Sequence, residues 1–581
     1  MRSRPRVSRH ARWSVLAVAI ALLAIQHIYI GARSEFLPCS LDCGESYEAY
    51  IGAVNLARLG LRYAAGLQDL AVGLRPQAHP MLYIHNPNLG VLFQYVVLRL
   101  GARDIHEAAI WTVVPFALGL LYMYLFFSAA TRSRLFGALC LLNAALLYLL
   151  VSLWAFQTLR VFSWLLTFGP LYHLYRASWT PTRRNVHYTT AGVFLALSFG
   201  IDYPFAVFIF LVVVGLHVVG AFTIPRGRLF VFLAAAFGVP FVLRQIQVAA
   251  GVGPAFWVTD FLYSVARRIE LVGRFVSVPD EAALQALYRA KGVVAWPGSG
   301  HFAPRDWAVA IGRAYYEALG APMLIVLCAW AAFMLAMVLR GRRRLVRLAG
   351  SVPVRAAQVI VVLVAAQTVT LLIFGDYVAG FYGKALMPLP VHWIVPMLGT
   401  TAWVLLANVD RVVRVGRLAV PAGAILLVLF VGWRVGMEAR NHLRLPPKGY
   451  PGRHVLRGLT GVPIATLWDS AAVSAYTGEW AASLRRAWWE APAPPPFDPD
   501  RDYYVFFQFD RDDPRYRHPR FLFVPALNIG VMADGACSSF DRRIATHAVV
   551  CADLTGVAAR LAGWRLVERG PDYLLYDLGG R

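Results

Sequence analysis

About eleven apolar runs divide this chain, and its arginines fall in every second gap between them. The runs lie near residues 13–31, 107–128, 134–154, 158–177, 188–203, 204–220, 228–249, 318–339, 356–375, 386–408 and 418–436. Most approach the roughly 20 apolar residues that a helix needs to cross a bilayer core. The stretch Tyr188–Gly220 is too long for one crossing and is broken by Asp202-Tyr203-Pro204, which reads as a hairpin tip at the membrane surface. With 58% hydrophobic and 15% charged residues and a mean hydropathy of +0.55, the chain is not a water-soluble multidomain protein.

The charge pattern orients these runs. A cytoplasmic N-terminus makes alternate loops cytoplasmic, and those loops hold Arg132/Arg134, Arg176/Arg183/Arg184, Arg226/Arg228, Arg340 to Arg355 and Arg411/Arg414/Arg417, with almost no acid except Asp410. The net charge of +24 therefore reads as membrane orientation, not as a nucleic-acid surface. The first run, Trp13–Gly31, follows a leader of five arginines and reads as an uncleaved signal anchor. The opposite side receives a long first loop (32–106), a second long loop (250–317), a short loop around Gly375–Ala385 and everything after Gly436.

The expected fold class is mainly α: a polytopic transmembrane bundle of about 11 helices in an inner (plasma) membrane, residues 1–436, followed by a small extracytoplasmic α/β domain, 437–581. Glu45–Gly60 and Asn88–Gly101 carry apolar residues at helical spacing without the length to cross, so they are expected in the interface plane. In the last domain the expected strands are Tyr503–Phe509, His547–Cys551 and two within Trp564–Leu578 around the Gly570-Pro571 turn; Leu554–Leu561 reads as a helix. Cys537 and Cys551 are candidates for a disulfide on the oxidising side, Cys39 and Cys43 less so because their ring would be small, and Cys140 and Cys328 read as core packing.

Chemistry concentrates in Leu41-Asp42-Cys43-Gly44-Glu45-Ser46-Tyr47-Glu48-Ala49-Tyr50, directly after the first run, and in His85-Asn86-Pro87-Asn88-Leu89-Gly90. Carboxylates at a membrane surface suit proton abstraction from an attacking hydroxyl, or a metal ion. This acidic segment, the spacing that leads through Leu59-Gly60 and the Asn-Pro-x-Leu helix ending at Leu100-Gly101 resemble the lipid-phosphosugar-dependent C-type glycosyltransferases (the GT-C fold). The nearest branch is that of polyprenyl- or dolichyl-phosphate-mannose protein mannosyltransferases and aminoarabinose transferases.

The resemblance implies an enzyme that moves a sugar from a polyprenyl-phosphate donor to an envelope acceptor at the outer face, by inversion, with an acid of the first outer loop as base. That acid maps to Asp42 or Glu45: Glu45 aligns with the second member of the family's Asp-Glu pair, Gly44 occupies the first, and Asp42 is displaced by two. Asp202, His85 and Asn86 join the candidate site, and a divalent cation (Mg2+ or Mn2+) is an optional cofactor. Cations that could receive the departing phosphate are Arg160, Arg244, Arg267, Arg268, His301, Arg305 and Lys384.

Each has a plainer reading. Asp42 and Glu45 suit a helix N-terminus, Asn86-Pro87 a turn, Asp202 a helix cap, and Arg244 a side chain reaching for the interface. A transporter or flippase is the rival function, but no internal repeat and few midplane charges accompany the long outer loops. No nucleotide-binding fingerprint or zinc spacing occurs.

Overall fold

The structure, a computed structural model, describes residues 9–34, 43–71, 80–84, 89–146, 161–268, 281–293, 329–330, 332, 351–373, 388–408, 413–415, 418–420, 422–443, 452–462, 464–466, 470–479, 481–484, 503–504, 520–525, 527–528, 550–551, 558, 563–570 and 573–578. Helix α1 (Arg9–Ser34) is followed by α2 (Cys43–Leu59), an antiparallel pair of β1 (Gln68–Asp69) and β2 (Leu82–Tyr83), and α3 (Leu89–Arg99). The bundle continues with α4 (Ile105–Ile110), α5 (Val113–Thr131), α6 (Arg134–Ala145), α7 (Phe162–Trp179), α8 (Arg184–Ser198) and α9 (Tyr203–Val218). Next, α10 (Arg226–Leu233) passes through a π-helical turn, Ala234–Gly238, into α11 (Val239–Val252), and α12 (Pro254–Arg268) and α13 (Glu281–Ala290) follow. Then come α14 (Ser351–Ile373), α15 (Pro388–Ala407), the hairpin β3 (Val413–Val415) and β4 (Leu418–Val420), and α16 (Ala422–Leu443).

Local chemistry sets the ends of these helices. Asp104 caps α4 by accepting from the amides of His106 and Glu107 at 2.9 and 3.0 Å, and Ser133 caps α6 through the Phe136 amide at 3.2 Å. Between helices, small residues allow close approach. A Cβ at Gly119 would lie 2.6 Å from that of Trp164, so α5 meets α7 nearly backbone to backbone. Phe116, Phe126, Phe127, Phe136, Trp164, Phe168 and Phe208 fill the main core.

Among the described residues, three helical stretches are long and apolar enough to cross a membrane: Ile105–Thr131, Gly227–Val252 and Ser351–Thr370. Six shorter apolar helices accompany them, including Trp13–Ile25, Tyr203–Val218 and His392–Ala407. Side chains such as Val218, Phe230 and Val428 face outward at 70–76% exposure, as a lipid-facing surface requires. The chain is thus a mainly helical membrane protein, as expected, while the run at 318–339 lies almost wholly outside the described residues.

The C-terminal region forms α17 (Arg453–Gly458), β5 (Ile464–Thr466), α18 (Ser470–Thr477), β6 (Ala481–Leu484), β7 (Tyr503–Tyr504), β8 (Phe521–Pro525), β9 (Leu527–Asn528), β10 (Val550–Cys551), β11 (Arg565–Arg569) and β12 (Tyr573–Asp577). Among the described residues one sheet has the order β11-β12-β8-β5-β6-β7, with β5 parallel to β6 and β8 and the other pairings antiparallel; β9 and β10 pair separately. The two strands expected around Gly570-Pro571 are β11 and β12, whereas the Leu554–Leu561 helix and Cys537 lie outside the described residues, apart from residue 558.

This sheet packs on the first loop. Tyr47, Tyr50, Val97, Ile105 and Ala108 share one core with Leu456, Ile464, Val473, Tyr476, Phe523 and Tyr573.

Candidate active site

The first loop is held together by one buried acid. The Asp69 carboxylate, 1% exposed, accepts from the amides of Ala71 and Met81 and from the Tyr63 hydroxyl, each at 2.9 Å. Asn55 of α2 donates its side-chain amide to the carbonyls of Asp69 (2.8 Å) and Ala71 (2.6 Å). Burial pushes the Asp69 carboxyl above the ordinary carboxylate range, against the two backbone amides and the Tyr63 hydroxyl, which favour its charged form. Its hydrogen bonds thus tie Tyr63, Ala71 and Met81 to one point of the first loop.

Strand β2 carries the loop to the bundle. The Leu82 amide donates to the Gly292 carbonyl at 2.7 Å, and Leu67, Leu82, Ile84, Val248, Val252, Phe256, Leu284, Tyr288 and Val293 make a small core shared by the first loop, α11 and the second loop. In the second loop the Tyr288 hydroxyl donates to the buried Asp260 carboxylate.

Two anchors then bracket the residues between β2 and α3. On one side Arg244 of α11, 6% exposed, donates through Nη2 to the Ile84 carbonyl (3.1 Å) and through Nη1 to Gln247 Oε1 (2.7 Å), and the Tyr203 hydroxyl also hydrogen-bonds its guanidinium. Gln247 in turn donates to the Ala65 carbonyl at 3.0 Å, so α11 grips the loop twice. On the other side the Leu89 amide donates to the Gly200 carbonyl at 3.0 Å. Two residues further, Asp202, 3% exposed, caps α9 through the Phe205 amide at 2.6 Å.

The structure thus brings Asp202 and Arg244 to one corner through Tyr203, with the ends of the Ile84–Leu89 segment attached to the same corner. A buried guanidinium hydrogen-bonded by the residue that follows a buried helix-capping carboxylate is an electrostatically defined site whose charges are weakly screened. His85 and Asn86 themselves lie outside the described residues, as do Asp42, Arg160, His301, Arg305 and Lys384.

Glu45 stands in the first turn of α2, and Arg267 and Arg268 end α12; their side chains lie outside the described residues. Gly52, seven residues after Glu45, meets Gln68 and Val91, whereas Tyr47 meets Tyr476 of the C-terminal sheet. At 1.5 Å per residue, the Glu45 backbone is about 10 Å along the helix from Gly52. The first turn of α2 therefore faces the C-terminal domain, and its last turns face the Asp69 network.

Three polar residues, two in the bundle and one in the first loop, were missed by sequence reasoning. Arg434 of α16, 3% exposed, donates to the Leu146 carbonyl just past the end of α6, where a cation meets the negative end of a helix. His392 of α15 is fully buried, stacks on Trp164 with ring centroids 4.9 Å apart and also touches Phe168 and Phe208. Asp69 was missed because a lone acid in a polar loop looks solvated. An ionisable residue inside an apolar run was the available signal for Arg434 and His392. Among the described residues no three of His, Cys, Asp or Glu converge as a metal site.

No family model matches this chain, and no curated relative does. Solved structures similar to it include the oligosaccharyltransferase of Archaeoglobus fulgidus in the apo form, with TM-score 0.45 and 12% identity over 82% of this chain and 65% of that one. The chain accordingly spans less than two thirds of that enzyme's length. Others are ArnT from Cupriavidus metallidurans in the apo state, with TM-score 0.37 and 15% identity over 98% of both chains, and the same protein bound to undecaprenyl phosphate, with TM-score 0.37, 14% identity and 97% of both chains.

Proposed function

We propose that this protein is a membrane glycosyltransferase that takes a sugar from a polyprenyl-phosphate donor at the face bearing the first loop. The observation that carries the proposal is Arg244: a guanidinium buried within an apolar helix, joined through Tyr203 to Asp202 and tied to the first loop at Ile84. A cation kept at such a place at the cost of desolvation suits the phosphate of a lipid whose chain lies in the bilayer.

In this reading the acceptor hydroxyl or amine loses its proton to Asp42 or Glu45 and attacks the anomeric carbon. The bond to the phosphate oxygen breaks with inversion, and polyprenyl phosphate leaves with its charge balanced by Arg244 and the other basic residues of that face. Asp202 orients the start of α9 and with it Tyr203. The N-terminus is cytoplasmic and the C-terminal domain extracytoplasmic, as the arginine pattern requires.

The test is release of polyprenyl phosphate by the full chain in nanodiscs supplied with lipid-linked sugars from the producing cell. Asp42→Asn and Glu45→Gln are expected to lower release in the single variant that removes the base and to abolish it in the double. Undiminished release in the double variant would remove both acids from the reaction.

A further inference from the structure

The end of the bundle opposite Asp202 and the first loop has no role in the reaction proposed above, yet three connections meet there. Helix α5 stops at Arg132, whose backbone is left-handed (φ 57°) and whose guanidinium lies over the Trp179 ring, 5.6 Å from its centroid. The Ser178 hydroxyl donates to the Thr223 carbonyl at 3.1 Å and accepts from the Thr223 amide at 3.2 Å, which draws the α9–α10 connection against the end of α7. Arg184 Nε donates to the Ala177 carbonyl at 3.2 Å. Just inside this rim the Tyr122 hydroxyl and His173 Nε2 lie 3.2 Å apart, and His173 Nδ1 and His187 Nδ1 lie 2.9 Å apart, so α5, α7 and α8 are cross-linked by polar contacts.

The rim gathers Arg132, Arg176, Arg183, Arg184 and Arg228, four of them exposed and Arg184 partly so. Between Glu107 and Asp260 the sequence has one acid, Asp202, at the opposite end of the bundle. Among the described residues neither ion pair, Arg457–Asp104 nor Arg565–Asp577, involves this rim. Cations gathered in this way repel one another unless an external anion joins them. Apolar surface adjoins them directly: Trp179 is 59% exposed, Val218 76% and Phe230 76%.

We propose that this rim binds the headgroup of an anionic phospholipid in the leaflet it faces. The guanidinium forks, with Arg132 steadied on Trp179, hold the phosphate, and the exposed apolar side chains receive the acyl chains. Free inorganic phosphate would satisfy the cations but leave the apolar skin uncovered. A nucleic acid would need a polar surface beyond the phosphate contacts, where this one has Val218 and Phe230. The site is independent of the proposed transfer reaction, and either can fail alone.

Native mass spectrometry of the full chain, released from detergent after incubation with phosphatidylglycerol, diphosphatidylglycerol or phosphatidylcholine, tests it. The expected result is retention of the anionic lipids over phosphatidylcholine, a loss of that retention by about a hundredfold in the triple variant Arg132→Gln, Arg176→Gln and Arg183→Gln, and recovery in the matching triple Lys variant. Should the Gln variant not fold, Arg228→Gln alone and the wild-type lipid preference decide. Equal retention of phosphatidylcholine, unchanged retention in a folded Gln variant, or complete displacement of the lipid by millimolar inorganic phosphate would overturn the proposal.

Discussion

The Tyr476 hydroxyl lies 3.1 Å from His106 Nε2, a hydrogen bond that joins the C-terminal domain to α4 across 370 positions of sequence. The Tyr476 ring also packs on His106, with centroids 5.7 Å apart, and on Tyr47, two residues after Glu45, at 6.1 Å. The Tyr47 hydroxyl is hydrogen-bonded to Tyr476 as well. One tyrosine therefore connects the first turns of α2, the start of the bundle and the C-terminal sheet.

Tyr476→Phe, which removes this hydrogen bond, is expected to cost about 1 kcal/mol of docking and to quicken hydrogen exchange of α2 and α4.

The neighbouring Arg457–Asp104 pair, 2.7 Å long, behaves differently because both side chains are well exposed, at 46% and 39%. Arg457→Ala is expected to change the thermal midpoint only slightly, by less than about 1 kcal/mol, and the difference is expected to vanish at high salt.

Asp69→Asn puts an amide where three donors converge. The expected loss is about 1–3 kcal/mol of first-loop stability, read as faster hydrogen exchange over residues 63–84 with little change in the helical bundle. Asn55→Ala should affect the same amides from the α2 side.

Gly119 lies so close to Trp164 that Gly119→Ala forces α5 and α7 apart. An overpacking cost of about 1–3 kcal/mol is expected in thermal unfolding of detergent-solubilised protein. Gly227→Ala, where a Cβ meets open space, is the control and should leave the midpoint unchanged.

Much of this architecture was legible because bilayer crossing and orientation are written in local patterns. The Asp202-Tyr203-Pro204 break falls where α9 starts, Glu45–Gly60 and Asn88–Gly101 match α2 and α3 within a few residues, and the last two strands lie on either side of Gly570-Pro571. Arg244 and Asp202 stood out as charges inside or beside apolar runs, but their burial at 6% and 3% exposure was not expected. The order of the mixed sheet was not legible, since β5 pairs with β8 more than 50 residues away and neither strand differs in pattern from its neighbours. Nor was the docking of Tyr476 on Tyr47 and His106, since nothing local links positions so far apart in sequence. The three donors around Asp69 include two backbone amides, which leave no trace in residue type.

Arg244 decides between these readings, and the decisive measurement is single-turnover release of polyprenyl phosphate by wild type, Arg244→Lys and Arg244→Gln, each shown to be folded by its thermal midpoint. A transferase of the proposed kind predicts release by wild type, a drop of roughly 10²–10³ in rate for the Gln variant and an intermediate rate for Lys, which keeps the charge but not the fork. Release at the wild-type rate by folded Arg244→Gln, or transport of the lipid-linked sugar across sealed vesicles with no sugar transferred, would contradict it.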